Sequence, residues 1–382
     1  MPRHDICIVG LKCYDLLTGA SVPRYLGGIE KLLVTMARGL SRTGLDTAFI
    51  TYDHGQSDAE TVDGITVYKA FSDEAGLPGL RFFHPRMTGL WRAMRRADAA
   101  IYIQMGAGSE AGRVALGAHH FCGSRKAFAF ALASDKDTDR EAIESLPSRE
   151  RLLYRYGLRS ADLLISQTQA QQEALLRSFG HESIVLPMPI ESPEGVDAAA
   201  KAVIEVDSHH VLWVGRIIET KRLELLFKVA RRCPDVKFDV VGTPNRESVY
   251  YKALVREAQE IENVTLHGRV AEGVLPQLYR ESTLLLCTSI LEGFPTTFLE
   301  AWSYATPVIT TFDPDGVVAE NKLGVVVETE DEIVGEIRRF TSEKALRQQY
   351  CSRVRRYFEE HYTPQAILPR FRSHLKSLIE LT

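Results

Sequence analysis

Two glutamates, Glu292 and Glu300, stand eight positions apart in the stretch EGFPTTFLE. Carboxylate pairs cleave glycosidic bonds by acid–base work when they lie about 5–9.5 Å apart, whereas a fully helical eight-residue step spans about 12 Å. Hydrolysis stays open only if the loop folds the two together. The residues between them suit another chemistry. Pro295 has no amide hydrogen and holds φ near the helical value, which fits a first helical turn. Thr296 and Thr297 can cap that turn or hydrogen-bond an anion, and Gly293 lets the backbone approach a ligand. The free amides and dipole of such a helix start form a site for phosphate. Glu300, about a turn into the helix, points back towards that start and can accept from ribose hydroxyls. Glu292 precedes the helix on the ligand side.

Two carboxylates beside a diphosphate repel it unless cations answer them. The stretch WVGRIIETKR supplies Arg216 directly after a strand-like run, with Lys221 five residues later. Arginine offers a planar fork and lysine a point charge for phosphate. Taken singly, these residues also read as acidic groups near a helix dipole and as surface charges. Taken together, in order and each at a strand end, they favour a phosphate cradle.

The elements that must position them follow from the pattern of apolar runs. ICIVG, TAFITY, AAIYIQ, KAFAFALAS and ADLLISQ alternate with segments of helical period, which predicts a parallel sheet covered by helices. Three prolines in SIVLPMPIESPEG mark a linker, after which the alternation restarts with HVLWVGR, KFDVVG, NVTLHG, STLLLCTS and TPVITT. The expected fold is α/β, two doubly wound parallel-sheet domains facing across a cleft. Boundaries fall at 1–190 and 191–364, and the amphipathic tail 365–382 either caps the second domain or crosses back to the first. Ligands of open α/β sheets bind beyond the carboxyl ends of strands. EGFPTTFLE follows LLLCTS directly and so falls there.

Composition narrows the class. The chain has 382 residues, enough for two domains, with 45% apolar and 25% charged residues as in ordinary globular proteins. Its 46 basic and 50 acidic residues give a net charge of -4, without the cationic field of a nucleic-acid binder. Six cysteines form no C-x-x-C pair and read as reduced structural thiols of a cytoplasmic protein. The N-terminus passes at once into a strand-like run, leaving no room for a signal peptide. No apolar run approaches the roughly 18 residues of a spanning helix, so membrane contact is expected to be peripheral. The first strand leads into LKCYDLLTG without G-x-G-x-x-G, which disfavours an NAD-dependent dehydrogenase.

These residues resemble the retaining GT-B glycosyltransferases, specifically glycosyltransferase family four (glycosyl transferases group one), most strongly from Val211 to about Val327. The resemblance implies two Rossmann-like domains and assigns Glu292 and Glu300 to the family's paired glutamates at the donor site. It implies that Gly215, Arg216 and Lys221 meet the donor diphosphate, with Arg222 standing where the family usually has glycine. Gly293, Phe294, Pro295, Thr296 and Thr297 would line the donor, and Val270 of HGRV would lie near the base through backbone contacts. YLGGIEKLLVTMARGL resembles the family's Gly-Gly loop, so Gly27 and Gly28 would approach the donor phosphates or the acceptor, unless they are a plain turn. Relatives often place a sugar-contacting histidine after a central strand. This chain has SDKD after KAFAFALA, so Ser134, Asp135 or Asp137 holds that place. His119 and His120 read as helix-terminal or core residues.

The implied reaction is transfer of a sugar from a UDP- or GDP-type sugar to a hydroxyl acceptor in polysaccharide, lipid-linked oligosaccharide or glycolipid biosynthesis. The family needs no metal, and no cofactor beyond the nucleotide-sugar co-substrate is expected. Rival readings are an epimerase or phosphorylase of the same fold, and a silent nucleotide-sugar-binding subunit. The basic, aromatic run from Arg81 to Arg96 fits either an ordinary surface helix or contact with an anionic membrane carrying the acceptor. The expected location is the cytoplasm, with the inner membrane face as its variant.

Overall fold

The Val- and Ile-rich runs fold as strands because β-branched side chains suit a pleated surface packed on both faces. The computed structural model describes residues 2–20, 23–25, 27–196, 209–244, 248–271 and 273–381, so residues 197–208 of the expected linker lie outside the described residues. The chain divides into two units, residues 1–191 together with 364–382, and residues 192–363.

In the first unit the strands are β1 (His4–Val9), β2 (Thr47–Thr51), β3 (Ala59–Val62), β4 (Ile65–Lys69), β5 (Ala99–Met105), β6 (Ala127–Ala131), β7 (Leu163–Ser166) and β8 (Ile184–Val185). Their order across the sheet is β3-β4-β2-β1-β5-β6-β7-β8. All neighbours are parallel except β3 and β4, an antiparallel hairpin turned on Asp63 and Gly64 at φ of 50° and 78°. Such a two-residue turn needs positive φ twice, which explains the Asp-Gly pair.

Helices cover this sheet through their apolar stripes. The Gly28–Arg42 helix buries Leu32, Leu33, Met36, Ala37 and Leu40. The Pro364–Leu381 helix lies against it, burying Ile367, Leu368, Phe371 and Leu375. A Cβ on Gly39 would sit 2.3 Å from Leu368 Cδ1, so the bare glycine admits the leucine. The helices Ser109–Leu116 and Ser148–Ser160 approach closely in the same way. A Cβ on Gly112 would meet the Leu153 carbonyl oxygen at 2.2 Å, and one on Gly157 would meet Ala111 at 2.8 Å.

The second unit holds β9 (His209–Val214), β10 (Val236–Val241), β11 (Val264–Gly268), β12 (Leu284–Cys287), β13 (Val308–Thr310) and β14 (Gly324–Val326). Their order is β11-β10-β9-β12-β13-β14, with every pair parallel. Sequence order reverses at β9, so the crevice beyond the carboxyl ends of β9 and β12 is this sheet's switch point. Trp213, Phe227, Phe238 and Phe340 pack into the core on one side of the sheet. All six cysteines are free and buried. Among the described residues no helix is long and apolar enough to cross a membrane.

Candidate functional site

At the end of β9 the backbones of two loops touch. The Gly215 amide donates to the Val241 carbonyl at 3.0 Å. A Cβ on Gly242, which holds φ at 152°, would lie 1.8 Å from the Gly215 carbonyl oxygen, so only glycine fits. Arg216 leaves this tight corner with an exposed side chain that makes, among the described residues, no hydrogen bond or ion pair. Its guanidinium stands open to an anion.

Lys221 closes the short 3-10 turn Glu219–Lys221. Its Nζ pairs with Glu292 Oε1, and the Ser289 hydroxyl donates to the same oxygen at 2.6 Å. The two charged side chains retain 17% and 15% of their exposure, so they meet where water screens them little. The Ile290 amide also donates to the Thr220 carbonyl at 2.9 Å. Loops that follow adjacent strands are thereby locked together at the switch point.

Arg222 adds the firmest lock. It holds the left-handed conformation, φ 46° and ψ 51°. Its Nε donates to the Thr288 carbonyl and its Nη2 to Thr311 Oγ1, both at 2.8 Å. The Thr288 hydroxyl in turn donates to the Lys221 carbonyl at 2.5 Å and accepts from Trp213 Nε1 at 3.1 Å. Thus the exits of β9, β12 and β13 are braced around Lys221.

In the glutamate loop, Gly293, Phe294 and Pro295 are buried. The Phe294 ring packs against Trp302 and Tyr362, with centroids 6.1 and 5.2 Å away, so its side chain belongs to an aromatic cluster. Pro295 takes the N-cap position at φ −64° and ψ 114°, and no side chain caps the Thr296–Ser303 helix. The capping expected of Thr296 and Thr297 is therefore absent, because both residues already lie inside the first turn. Glu300 Oε2 accepts from the Tyr279 hydroxyl at 2.9 Å. Burial pushes the Tyr279 pKa far up, which keeps that hydroxyl a donor. Each glutamate thus answers its own donors. Val270 is half-buried, two positions beyond the end of β11.

The candidates of the first unit cluster at two other strand ends. Gly27 is the N-cap of the Gly28–Arg42 helix, and a Cβ there would meet Glu30 Oε2 at 2.3 Å. The Glu30 carboxylate therefore folds back over the helix start at Gly27 and Gly28. After β6, Ser134 and Asp137 form a reciprocal capping box around the turn Asp135–Asp137. Asp137 accepts from the Ala133 amide at 2.7 Å and from Ser134 Oγ at 3.2 Å. Burial raises its pKa despite these bonds. Asp135 is half-buried and accepts from Gln171 Nε2 at 3.1 Å. His119 and His120 lie in a π-helical turn, Gly117–Phe121, where they bond Asp162 at 3.3 Å and Tyr156 at 3.0 Å.

Against known proteins, residues 197–357 match the family described as glycosyl transferases group 1. The match falls within the second unit. A D-inositol 3-phosphate glycosyltransferase of Mycobacterium sp. strain KMS is 30% identical over 164 residues, 39% of this chain and 37% of that protein. A glycosyltransferase 1 domain-containing protein of Xenopus tropicalis is 24% identical over 142 residues, 37% of this chain and 41% of that protein. The chain thus matches about two fifths of the length of these relatives. Among solved structures, sucrose-phosphate synthase from Thermosynechococcus elongatus aligns over 100% of both chains with a TM-score of 0.77 and 17% identity. Anabaena HepE, crystallised with UDP and glucose, aligns over 98% of this chain and 100% of its own with a TM-score of 0.72 and 15% identity. That likeness is one of fold, and the fold is GT-B.

Within the matched region, sequence reasoning missed Thr288, Ser289 and Tyr279 and the bracing role of Arg222. Arg222 was read only as a departure from the family's usual glycine, and that departure, at a position holding positive φ, was the available signal of its bracing role. Thr288 and Ser289 sat unremarked at the end of LLLCTS. Tyr279 carried no signal, since its bond to Glu300 spans 21 positions. Among the described residues no three of His, Cys, Asp or Glu converge as metal ligands would.

Proposed function

We propose that this protein transfers a sugar from a nucleotide diphosphate sugar of UDP or GDP type to an acceptor hydroxyl, with retention at the anomeric carbon. The observation that carries the reading is the Lys221–Glu292 pair at the switch point, beside an exposed Arg216 and an uncapped helix start. Relatives named as D-inositol 3-phosphate glycosyltransferases support sugar transfer, and a fold neighbour crystallised with UDP and glucose supports a UDP-type donor.

On this reading the donor diphosphate lies against Arg216, Lys221 and the amides from Gly293 to Thr297, with Gly215 giving it room. The bond from the anomeric carbon to the diphosphate breaks, and negative charge grows on the phosphate oxygens. Arg216 and Lys221 stabilise that charge more than the ground state, which lowers the barrier. Glu292 orients the sugar hydroxyls, Glu300 holds the ribose, and the backbone at Val270 borders the base. The acceptor oxygen bonds the anomeric carbon on the face the diphosphate leaves, and a leaving phosphate oxygen takes its proton. The protein's own cations do this work without a metal or other cofactor. Gly27, Gly28, Ser134, Asp135 and Asp137 serve the sugar and acceptor side, with Asp135 the carboxylate best placed to bond a hydroxyl. The acceptor is of the polysaccharide, lipid-linked oligosaccharide or glycolipid class.

The test offers purified protein a panel of UDP, GDP and ADP sugars and measures nucleotide release with and without acceptors. Arg216→Ala and Glu292→Gln should each lower kcat/KM by about 100-fold or more. Arg216→Ala should leave the melting curve unchanged, whereas Glu292→Gln, which strands the Lys221 charge, should lower Tm while the protein stays folded. Full activity in both variants would sink the assignment. Turnover of the sugar nucleotide without glycoside formation would point instead to an epimerase.

A further inference from the structure

The segment between Gly76 and Ala97 is not used by the site above. It contains five arginines and no acidic residue. Its first part, residues 77–84, forms two tight turns in which the Leu80 amide donates to Leu77, and the Phe83 and His84 amides donate to Leu80. Side chains three apart on such turns stack along one side. Leu77, Leu80 and Phe83 are accordingly 70%, 64% and 62% exposed.

The loop is built to hold them out. Phe82 is turned inward and buried, with the guanidinium groups of Arg149 and Arg113 at 4.7 and 5.8 Å from its ring centroid. Gly76, at φ 98°, closes the loop where a Cβ would meet Arg81 and Pro85 at 2.7 Å. His84 Nδ1 and Thr88 Oγ1 are 2.8 Å apart, joining the loop to the exposed face of the Arg86–Ala97 helix. Along that face Thr88, Arg92 and Arg95 follow at helical spacing, all exposed. Arg96 is bound to Asp58 at 2.9 Å, but Arg81, Arg86, Arg92 and Arg95 have no carboxylate partner among the described residues.

We propose that this row of apolar side chains and unpaired arginines docks the first unit on an anionic lipid surface. Leucine and phenylalanine side chains enter the boundary between head groups and acyl chains, while arginines reach lipid phosphates. A second copy of the chain fits poorly, because an isologous contact would set positive patch against positive patch. The inference is independent of the transfer reaction, since lipid binding is read without sugar nucleotide.

The experiment is flotation of the full chain with phosphatidylcholine vesicles and with vesicles containing phosphatidylglycerol. Wild type should float with the anionic vesicles alone, and less as salt rises. Each arginine near an anionic surface strengthens partitioning about fivefold. Arg92→Glu/Arg95→Glu should therefore lose tenfold or more, whereas Arg92→Lys/Arg95→Lys should bind as wild type. Leu80→Ser/Phe83→Ser should also lose tenfold or more, with circular dichroism confirming that it folds. Wild type remaining in the bottom fraction with both vesicles would overturn the proposal. So would Arg92→Glu/Arg95→Glu or Leu80→Ser/Phe83→Ser floating like wild type, or a dimer in sedimentation that Leu80→Ser/Phe83→Ser dissolves.

Discussion

Arg222 shows how one side chain decides between two opposing effects. A non-glycine residue in the left-handed region costs about 1–2 kcal/mol, and glycine would relieve it. Against that stand two charge-assisted hydrogen bonds, to Thr288 and Thr311, worth about 1.5–3 kcal/mol each. The bonds win. Arg222→Gly should lower stability by about 1–5 kcal/mol in urea unfolding, and Arg222→Ala by more, because alanine keeps the strain and loses the bonds. A glycine variant more stable than wild type would show that strain dominates. Lys221 and Glu292 act as a unit, since either alone leaves a half-buried charge behind. A cycle of Lys221→Ala and Glu292→Gln, read as kcat/KM, should fall short of additivity by at least about 1 kcal/mol. Additive losses would mean that the two residues serve the reaction separately.

At the scale of elements, close approach and shared strands set the energetics. The helices Ser109–Leu116 and Ser148–Ser160 meet through Gly112 and Gly157, and a methyl group at Gly112 would overlap the Leu153 carbonyl. Gly112→Ala should therefore cost about 1–3 kcal/mol, seen as a lower Tm, although alanine is the better helix former. Asp239 on β10 bridges His210 on β9 and His267 on β11 at 2.8 and 2.7 Å. Burial raises its pKa, and the two histidine bonds more than offset this, leaving it below the usual carboxylate value. Stability from such a group is present above its unfolded pKa of about 3.9 and is lost as pH falls through the lower folded value. The gap in stability between wild type and Asp239→Asn should thus be full near pH 5 and shrink below about pH 4. The parallel strands were legible in the sequence because each apolar run was bounded by turn residues. The β3–β4 hairpin went unread, since its Asp-Gly signal follows β3, a four-residue strand that is half exposed and carries little apolar pattern. Arg216, Lys221 and Glu292 were singled out by type and by strand-end position. Their bonding was not, because the Lys221–Glu292 pair spans 71 positions and depends on β9 and β12 becoming neighbours.

For the whole molecule, the first unit is discontinuous in the chain, with the second unit inserted before its final helix. Ending the chain after Thr363 removes Leu368 from its seat at Gly39, together with Phe371 and Leu375. Limited proteolysis of that truncation should open sites in residues 1–191 first, while residues 192–363, expressed alone, should still unfold cooperatively. Early cleavage in the second unit would contradict the division. The same arrangement has a consequence for synthesis. At about 5–20 residues per second, a ribosome needs tens of seconds to make the inserted unit. Through that interval the Gly28–Arg42 helix waits with its apolar seat uncovered, so a nascent first unit stalled at residue 363 should bind a chaperone that the released chain ignores.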